Sequence, residues 1–433
     1  MVSLDKNRLQ VADEILEIEN PGEFRWINII EKAEKKLKLS SNDSVIKINL
    51  VKTTKENLYF NIVFIKELKS YLNNPFKPGN KLPMSGSNKI TCLIIPTGIG
   101  AKFGGYAGDA NPIAKILSME SKHLLTHPNV VNGAVLSDLP SNLIYLEGYL
   151  LDQFLLGQIN IVPRKENKIG IIFDRAISEE RLRYELNVLN ALRAFYGCEI
   201  IGWTVLKKPL NCMPQVNDFG FSSGKIENVE VLIECALHLK NKGATAIAIC
   251  ASIPDLDLNK NYISGSGIDP IGGIESMISR IVSATTGLPS AHAPALLSDE
   301  RINYAAISPL SASEYIAQTF LPSVISGLRY APQVVPYDLE SASFSKSNAD
   351  IKKVLVPYNA FGSPGVFHLC ENLSKVILVK ENVTALDVNP THLNLQFDFI
   401  NSYLDLVSIE KIKESGMDPS VFKRPIESIN EIN

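Results

Sequence analysis

Between residues 90 and 300, short runs of consecutive apolar, often β-branched residues alternate with longer stretches of helical periodicity, and this alternation constrains the chain more than any other feature. A strand with one wet face alternates apolar and polar side chains. A strand that is apolar at every position is covered on both faces, as in a parallel sheet flanked by helices. Runs at 90–96, 130–135, 169–173, 200–205 and 244–250 fit that description. Helices are expected between them, notably at 179–196 and 229–242, the second closing on Asn241, Lys242 and Gly243 as a helix C-terminus should. Two further runs, 354–357 and 376–380, would extend the sheet after a helical section at 299–330.

The expected fold class is therefore α/β: a mostly parallel, Rossmann-like sheet with helices on both faces, preceded by a small α+β unit. That unit, residues 1–85, offers a helix near 24–39 and β-rich runs at 45–51 and 58–65, and a Pro/Gly-rich stretch at 73–87 links it to the rest. The expected domains are 1–85, an α/β core at 88–300 carrying glycine-rich loops, and a section at 301–433 whose strands complete that core.

Composition narrows the partners. The chain has 433 residues, 45% hydrophobic and 21% charged. No segment approaches the roughly 18 uncharged apolar residues of a membrane helix. Forty-three Lys and Arg against 46 Asp and Glu give a net charge of −3, and no window clusters the basic residues, so neither membrane nor nucleic acid is an expected partner. Six dispersed cysteines without a C-x-x-C pair indicate neither a zinc ribbon nor a disulfide scaffold. The N-terminal stretch turns acidic at once and has no apolar run after a basic one, so a cytoplasmic location is expected.

In a parallel sheet every strand delivers its C-terminal end to the same edge, and ligands bind there. After the run at 90–96 come Thr97, Gly98, Gly100, Gly104, Gly105 and Asp109, within a segment holding five glycines in sixteen residues. A second cluster, with Ser264, Ser266, Gly267, Asp269, Gly272 and Gly273, leads into a helix expected at 274–285. Such loops let backbone N–H groups approach an anion, and a following helix N-terminus favours phosphate or carboxylate; equally, the glycines serve tight turns and close packing. The spacing departs from the dinucleotide fingerprint, and no Walker sequence occurs.

For proton transfer the candidates are His127, at the entrance to the expected strand at 130–135, and His292, in a loop after the second glycine cluster, with Glu147 and Glu275 as carboxylates in polar surroundings. Asn132 joins the ligand-binding set. Asp255, Asp257 and Asp269 suit a Mg²⁺ ion held through one or two carboxylates, or simply cap turns. Cys250, closing an apolar run, is a further conceivable nucleophile.

The strings Pro-Thr-Gly-Ile-Gly-Ala (96–101), Gly-Gly-Tyr-Ala-Gly-Asp-Ala (104–110), Thr-His-Pro-Asn-Val-Val-Asn-Gly-Ala (126–134), Gly-Ile-Asp-Pro-Ile-Gly-Gly-Ile-Glu (267–275) and Ala-His-Ala-Pro-Ala (291–295) resemble those of a family of cyanobacteria and plastids, domain of unknown function 3326. The resemblance spans about 90–385. It implies a protein of photosynthetic lineage, cytoplasmic or stromal, and supplies no activity.

The expectation at this level is an enzyme holding a small phosphorylated or carboxylated metabolite in glycine-rich loops, with transferase, lyase and isomerase chemistry all open. A metabolite sensor or an assembly factor that binds a partner protein is the alternative, and a homodimer is expected on base rates.

Overall fold

The computed structural model describes residues 9–429 and 431–432, except 69, 73–75, 80–88, 133–138, 165, 255–258, 296–307, 313–319, 337–344, 374–375 and 408. Parallel pairing dominates, but it is divided between two sheets. One has six strands, in the order Asp398–Ile400, Val376–Val379, Ile351–Pro357, Ile90–Leu93, His123–Thr126 and Leu143–Tyr145, with every neighbouring pair parallel. The other has four, in the order Ser290–Ala295, Ala246–Ser252, Ile169–Phe173 and Ile200–Val205, again all parallel. The fold class is α/β, as the apolar runs require. Ile169–Phe173 and Ala246–Ser252 are buried at every position, which is why they carry no polar alternation.

Local signals set the helices. The helix Glu179–Tyr196 starts where the Ser178 side chain accepts the Arg181 N–H at 3.2 Å and ends at Gly197, left-handed at φ 65°. The helix Gly272–Thr286 has 12 of its 15 residues buried. It packs on the strand Ser290–Ala295, on the helices Gly148–Leu155 and Val229–Asn241, and on the strand Ser44–Thr53. It is the element around which the other layers meet.

The N-terminal unit is a three-stranded antiparallel sheet, Gln10–Glu19, Asn57–Lys66 and Ser44–Thr53 in spatial order, with the helix Trp26–Lys36. It is bonded to the parallel core: the Leu50 N–H donates to the Gly362 carbonyl and the Thr53 N–H to the Asp387 carbonyl, both at 2.9 Å. Trp26 stacks on Phe367 with ring centroids 5.8 Å apart.

Two local expectations are corrected. The strand expected at 130–135 is a helical turn, Pro128–Val131, in its described part; Pro128, with φ already fixed, favours the first helical position, and the strand lies upstream at His123–Thr126. His292 lies in the edge strand Ser290–Ala295 rather than in a loop.

Candidate functional site

A cavity of about 230 Å³ opens where the C-terminal ends of the six-stranded sheet meet the strand Ser290–Ala295 and the first turns of the helix Gly272–Thr286. The four residues expected to handle protons, His127, Glu147, Glu275 and His292, all line it, together with Thr97, Asn132, Asp269 and Gly273. Their environments give them different chemistry.

His292 Nδ1 lies 3.1 Å from Glu275 Oε1, and its Nε2 is buried with no hydrogen-bond partner. The imidazole is 2% exposed and the carboxylate 22%. Asp269 is buried beside this pair. Burial, and then the charge of Glu275, push its carboxyl up to about 7, although the Ile271 N–H donates to Oδ1 at 3.0 Å.

His127 is of the opposite kind. Its Nε2 accepts the Ile95 N–H at 3.0 Å, and burial, followed by the nearby charge of Arg280, lowers its pKa to about 3. The ring is therefore neutral with its proton on Nδ1, a hydrogen-bond donor. The expectation that it exchanges protons as a general acid or base is revised accordingly. Glu147 is revised as well: it is the N-cap of the helix Gly148–Leu155, accepting the Tyr149 N–H at 2.8 Å and the Leu150 N–H at 2.9 Å through its two oxygens. Burial raises its pKa and Arg280 opposes that.

Arg280 projects from the buried helix. Its Nη1 and Nη2 each lie 3.2 Å from Asp152 Oδ2, Nη1 also donates to the Ile46 carbonyl, and Nε is buried without a partner. A Cβ at position 148 would stand 2.5 Å from Arg280 Nη2, so Gly148 makes room for the guanidinium. Lys47, from the N-terminal sheet, faces the same cavity. Burial lowers its pKa to about 8, with Asp13 opposing and Arg280 adding to the shift.

The glycines of these loops make room for close packing. A Cβ on Gly98 would fall 2.2 Å from Ser222 Oγ, one on Gly273 2.1 Å from the Ser222 carbonyl, and one on Gly272 2.3 Å from Thr97 Oγ1. Gly100 packs on the Gly267 carbonyl, and Gly104 and Gly105 lie tight against Ile95 and Ala101. The loops dock on one another and on the Ser222–Lys225 strand. Two of the backbone donors are also taken: Asp269 holds the Ile271 N–H and Ser222 Oγ the Gly273 N–H at 2.9 Å. Asp109 pairs with Arg424 at 3.3 Å, the Gly104 and Tyr106 N–H groups offsetting part of the upward push of burial. Ser264 and Ser266 turn back to the Asn261 carbonyl, at 2.8 and 3.2 Å, and do not line the cavity. The close packing that was the alternative expectation for these glycines is what the structure shows at Gly98, Gly100, Gly104, Gly105, Gly272 and Gly273.

Asp255 and Asp257 lie outside the described residues. Among the described residues no group of three or more His, Cys, Asp or Glu is placed to hold a metal ion. Cys250 is buried, and burial pushes its thiol far above the ordinary range, which suppresses the thiolate.

Sequence reasoning missed Lys47, Asn49 and Asn61 from the N-terminal sheet, and Arg280 and Asp152 from the helices. One signal was available: Lys47 and Asn49 fall two apart within an apolar strand, and Arg280 interrupts the run Met277 to Val282.

A family model described as protein of unknown function (DUF3326) matches residues 90–423. The chain is similar to an uncharacterised lipoprotein of Synechococcus sp., 36% identical over 341 residues, which is 78% of this chain and 94% of the relative. No solved structure matches.

Proposed function

Because the chain belongs to the DUF3326 family, whose description carries no activity, we propose a function from the chemistry of the cavity: an enzyme that moves a proton on a small carboxylated or phosphorylated metabolite. The observation that carries this reading is the His292–Glu275 pair, with Nδ1 on the carboxylate and Nε2 buried and unpartnered in the cavity wall. A carboxylate at Nδ1 fixes the tautomer, leaves the lone pair on Nε2 and stabilises the imidazolium that forms when Nε2 takes a proton. Asp269, whose pKa is raised to about 7, holds its proton up to that pH and supplies an acid beside that base. His127, neutral and donating from Nδ1, suits polarisation of a substrate carbonyl without competing for the proton. Base, acid and neutral donor around one cavity favour isomerisation or elimination next to a carbonyl or carboxylate. A volume of about 230 Å³ favours a metabolite of few carbons.

The test begins with a thermal-shift screen against small carboxylates and phosphate esters at constant ionic strength; a ligand at about 100 times its Kd adds roughly 2.7 kcal/mol. Each stabilising compound is then incubated with the protein in D₂O and followed by NMR. The wild type should exchange a C–H beside the carbonyl for deuterium, and His292→Gln should slow that exchange by about a hundredfold or more. A ligand that stabilises the protein yet never exchanges or turns over would replace the enzyme with a sensor.

We further propose a cytoplasmic location, which the six cysteines support in that none is paired in a disulfide, as a reducing compartment keeps them. The relative's name says lipoprotein, so cell fractionation decides: native protein recovered only with detergent would overturn the placement.

A further inference from the structure

The N-terminal sheet lies outside the segment matched by the family model, yet it forms one wall of the cavity. Lys47 and Asn49 fall on the same face of the strand Ser44–Thr53, and Asn61 stands directly opposite Asn49 on the next strand. All three line the cavity. They are polar positions in a strand pair whose middle is built mostly from Val, Ile, Leu and Phe, where a buried charge is costly unless something answers it.

Inside the protein little answers it. Among the described residues no carboxylate comes within ion-pair distance of Lys47 Nζ, which sits 5.5 Å from the centroid of the Phe221 ring. The acid that acts on it from the far edge strand of the sheet, Asp13, is hydrogen-bonded by Asn61 Nδ2 on the strand between them. Asn61 Oδ1 is itself buried without a partner. On the helix packed against this strand, Arg280 adds a second positive charge and also keeps a buried, unpartnered donor at Nε. Two cations, and an orphaned donor and acceptor, thus face or border one small cavity. Backbone bonds at Leu50 and Thr53 hold the wall in place.

We infer that this sheet is the anion-reading wall of the site: Lys47, with Arg280 beside it, binds the oxyanion group of the metabolite, so the segment shared with the family is incomplete as a binding site without residues 10–66. The inference rests on the reading that the cavity holds the substrate. It adds which element selects it, and it assigns the oxyanion to side chains rather than to the glycine loops. Lysine, a compact charge with three donors, accepts either a carboxylate or a phosphate oxygen, so the class is oxyanion and the two forms are separated by experiment.

The experiment is calorimetric titration of the full chain with malonate and, separately, with inorganic phosphate, using wild type, Lys47→Met, Lys47→Arg and His292→Gln. The wild type should bind one of the two anions, and which one decides between carboxylate and phosphate. Lys47→Met should weaken that binding by about tenfold or more, Lys47→Arg should restore most of it, and His292→Gln should leave it nearly intact. Unliganded Lys47→Met should melt at or above the wild-type temperature, since Met fills a similar volume and removes an unanswered charge. Equal affinity in wild type and Lys47→Met overturns the inference while leaving the proton-transfer proposal standing. So does a Lys47→Met protein that melts far lower, because the amine is then structural. Failure of both anions to bind the wild type also overturns it, and the deuterium exchange then judges the cavity reading by itself.

Discussion

Whether a histidine acts as a base or as a fixed donor depends on which ring nitrogen is already engaged, and this cavity holds one of each. At His127 a backbone N–H occupies Nε2; at His292 a carboxylate faces Nδ1 and Nε2 is left alone. Asp269, close to the second, makes a titration prediction with a definite sign. Its folded pKa, near 7, stands above the roughly 3.9 of a free Asp. Below about pH 4 both states hold the proton; between there and pH 7 the folded state keeps it and the unfolded state has lost it. Stability contributed by this group is therefore fully present in acid and falls as pH rises, by at most about 1.4 kcal/mol per pH unit. Asn at this position does not titrate and still accepts the Ile271 N–H. Urea denaturation across that window should show Asp269→Asn gaining on the wild type as pH rises. A difference independent of pH would mean that Asp269 is ionised in the fold, and the acid would have to be sought elsewhere.

At the scale of elements, what the sequence displayed was what burial on two faces dictates. Ile169–Phe173 matches its expected run residue for residue and is buried throughout. Ile200–Val205 matches its run too, although as an edge strand it is only partly buried, and Glu179–Tyr196 is marked at both ends by Ser178 and Gly197. Full burial says that a strand has covered faces, not which strand lies beside it, so the division into two sheets was not legible. Short strands escaped as well. Leu143–Tyr145 has three residues, and Ser290–Ala295 contains no β-branched residue and carries Pro294, which an edge strand tolerates. The rule that ligands gather at strand ends brought Thr97 to the cavity from sequence alone, because it follows from topology. His127 and Glu147 were singled out by their polar context, and the strands that end beside them, His123–Thr126 and Leu143–Tyr145, were not expected. Their roles did not follow, since those depend on which backbone group each side chain meets. Lys47 was hidden for a related reason. A basic residue in an apolar strand is ordinary until the register shows that it points inward.

At the scale of the whole molecule, three sheets converge on one cavity, and the C-terminal segment fastens a loop at its border. Arg424 Nη2 lies 3.3 Å from Asp109 Oδ2, its Nη1 and Nε donate to the Val421 and Lys102 carbonyls at 2.8 and 3.1 Å, and its guanidinium lies 4.0 Å from the centroid of Phe103. The two side chains are 3% and 2% exposed, although 315 positions separate them in sequence. Burial drives the Asp109 carboxyl up to about 7 even with Arg424 beside it. The partners are therefore unequal. Arg424→Met leaves a buried carboxylate with no counter-charge and should cost about 3–5 kcal/mol at pH 8. Asp109→Asn leaves a guanidinium still held by four backbone carbonyls and a ring, and should cost less. Arg424 holds the wild-type carboxyl down to about 7, so without it the stranded carboxylate takes its proton at a higher pH. The cost of Arg424→Met should therefore shrink as pH falls from 8 to 7 and level off below, while that of Asp109→Asn grows as pH falls through 7, where the wild-type carboxyl gains a proton that Asn cannot take. In the double variant no charge is stranded, so its loss should fall well short of the sum of the single losses. Urea denaturation of the four proteins at pH 6 and pH 8 measures all of this at once; additive losses, or an Arg424→Met cost that ignores pH, would show that the tail is held by packing and backbone contacts rather than by this ion pair.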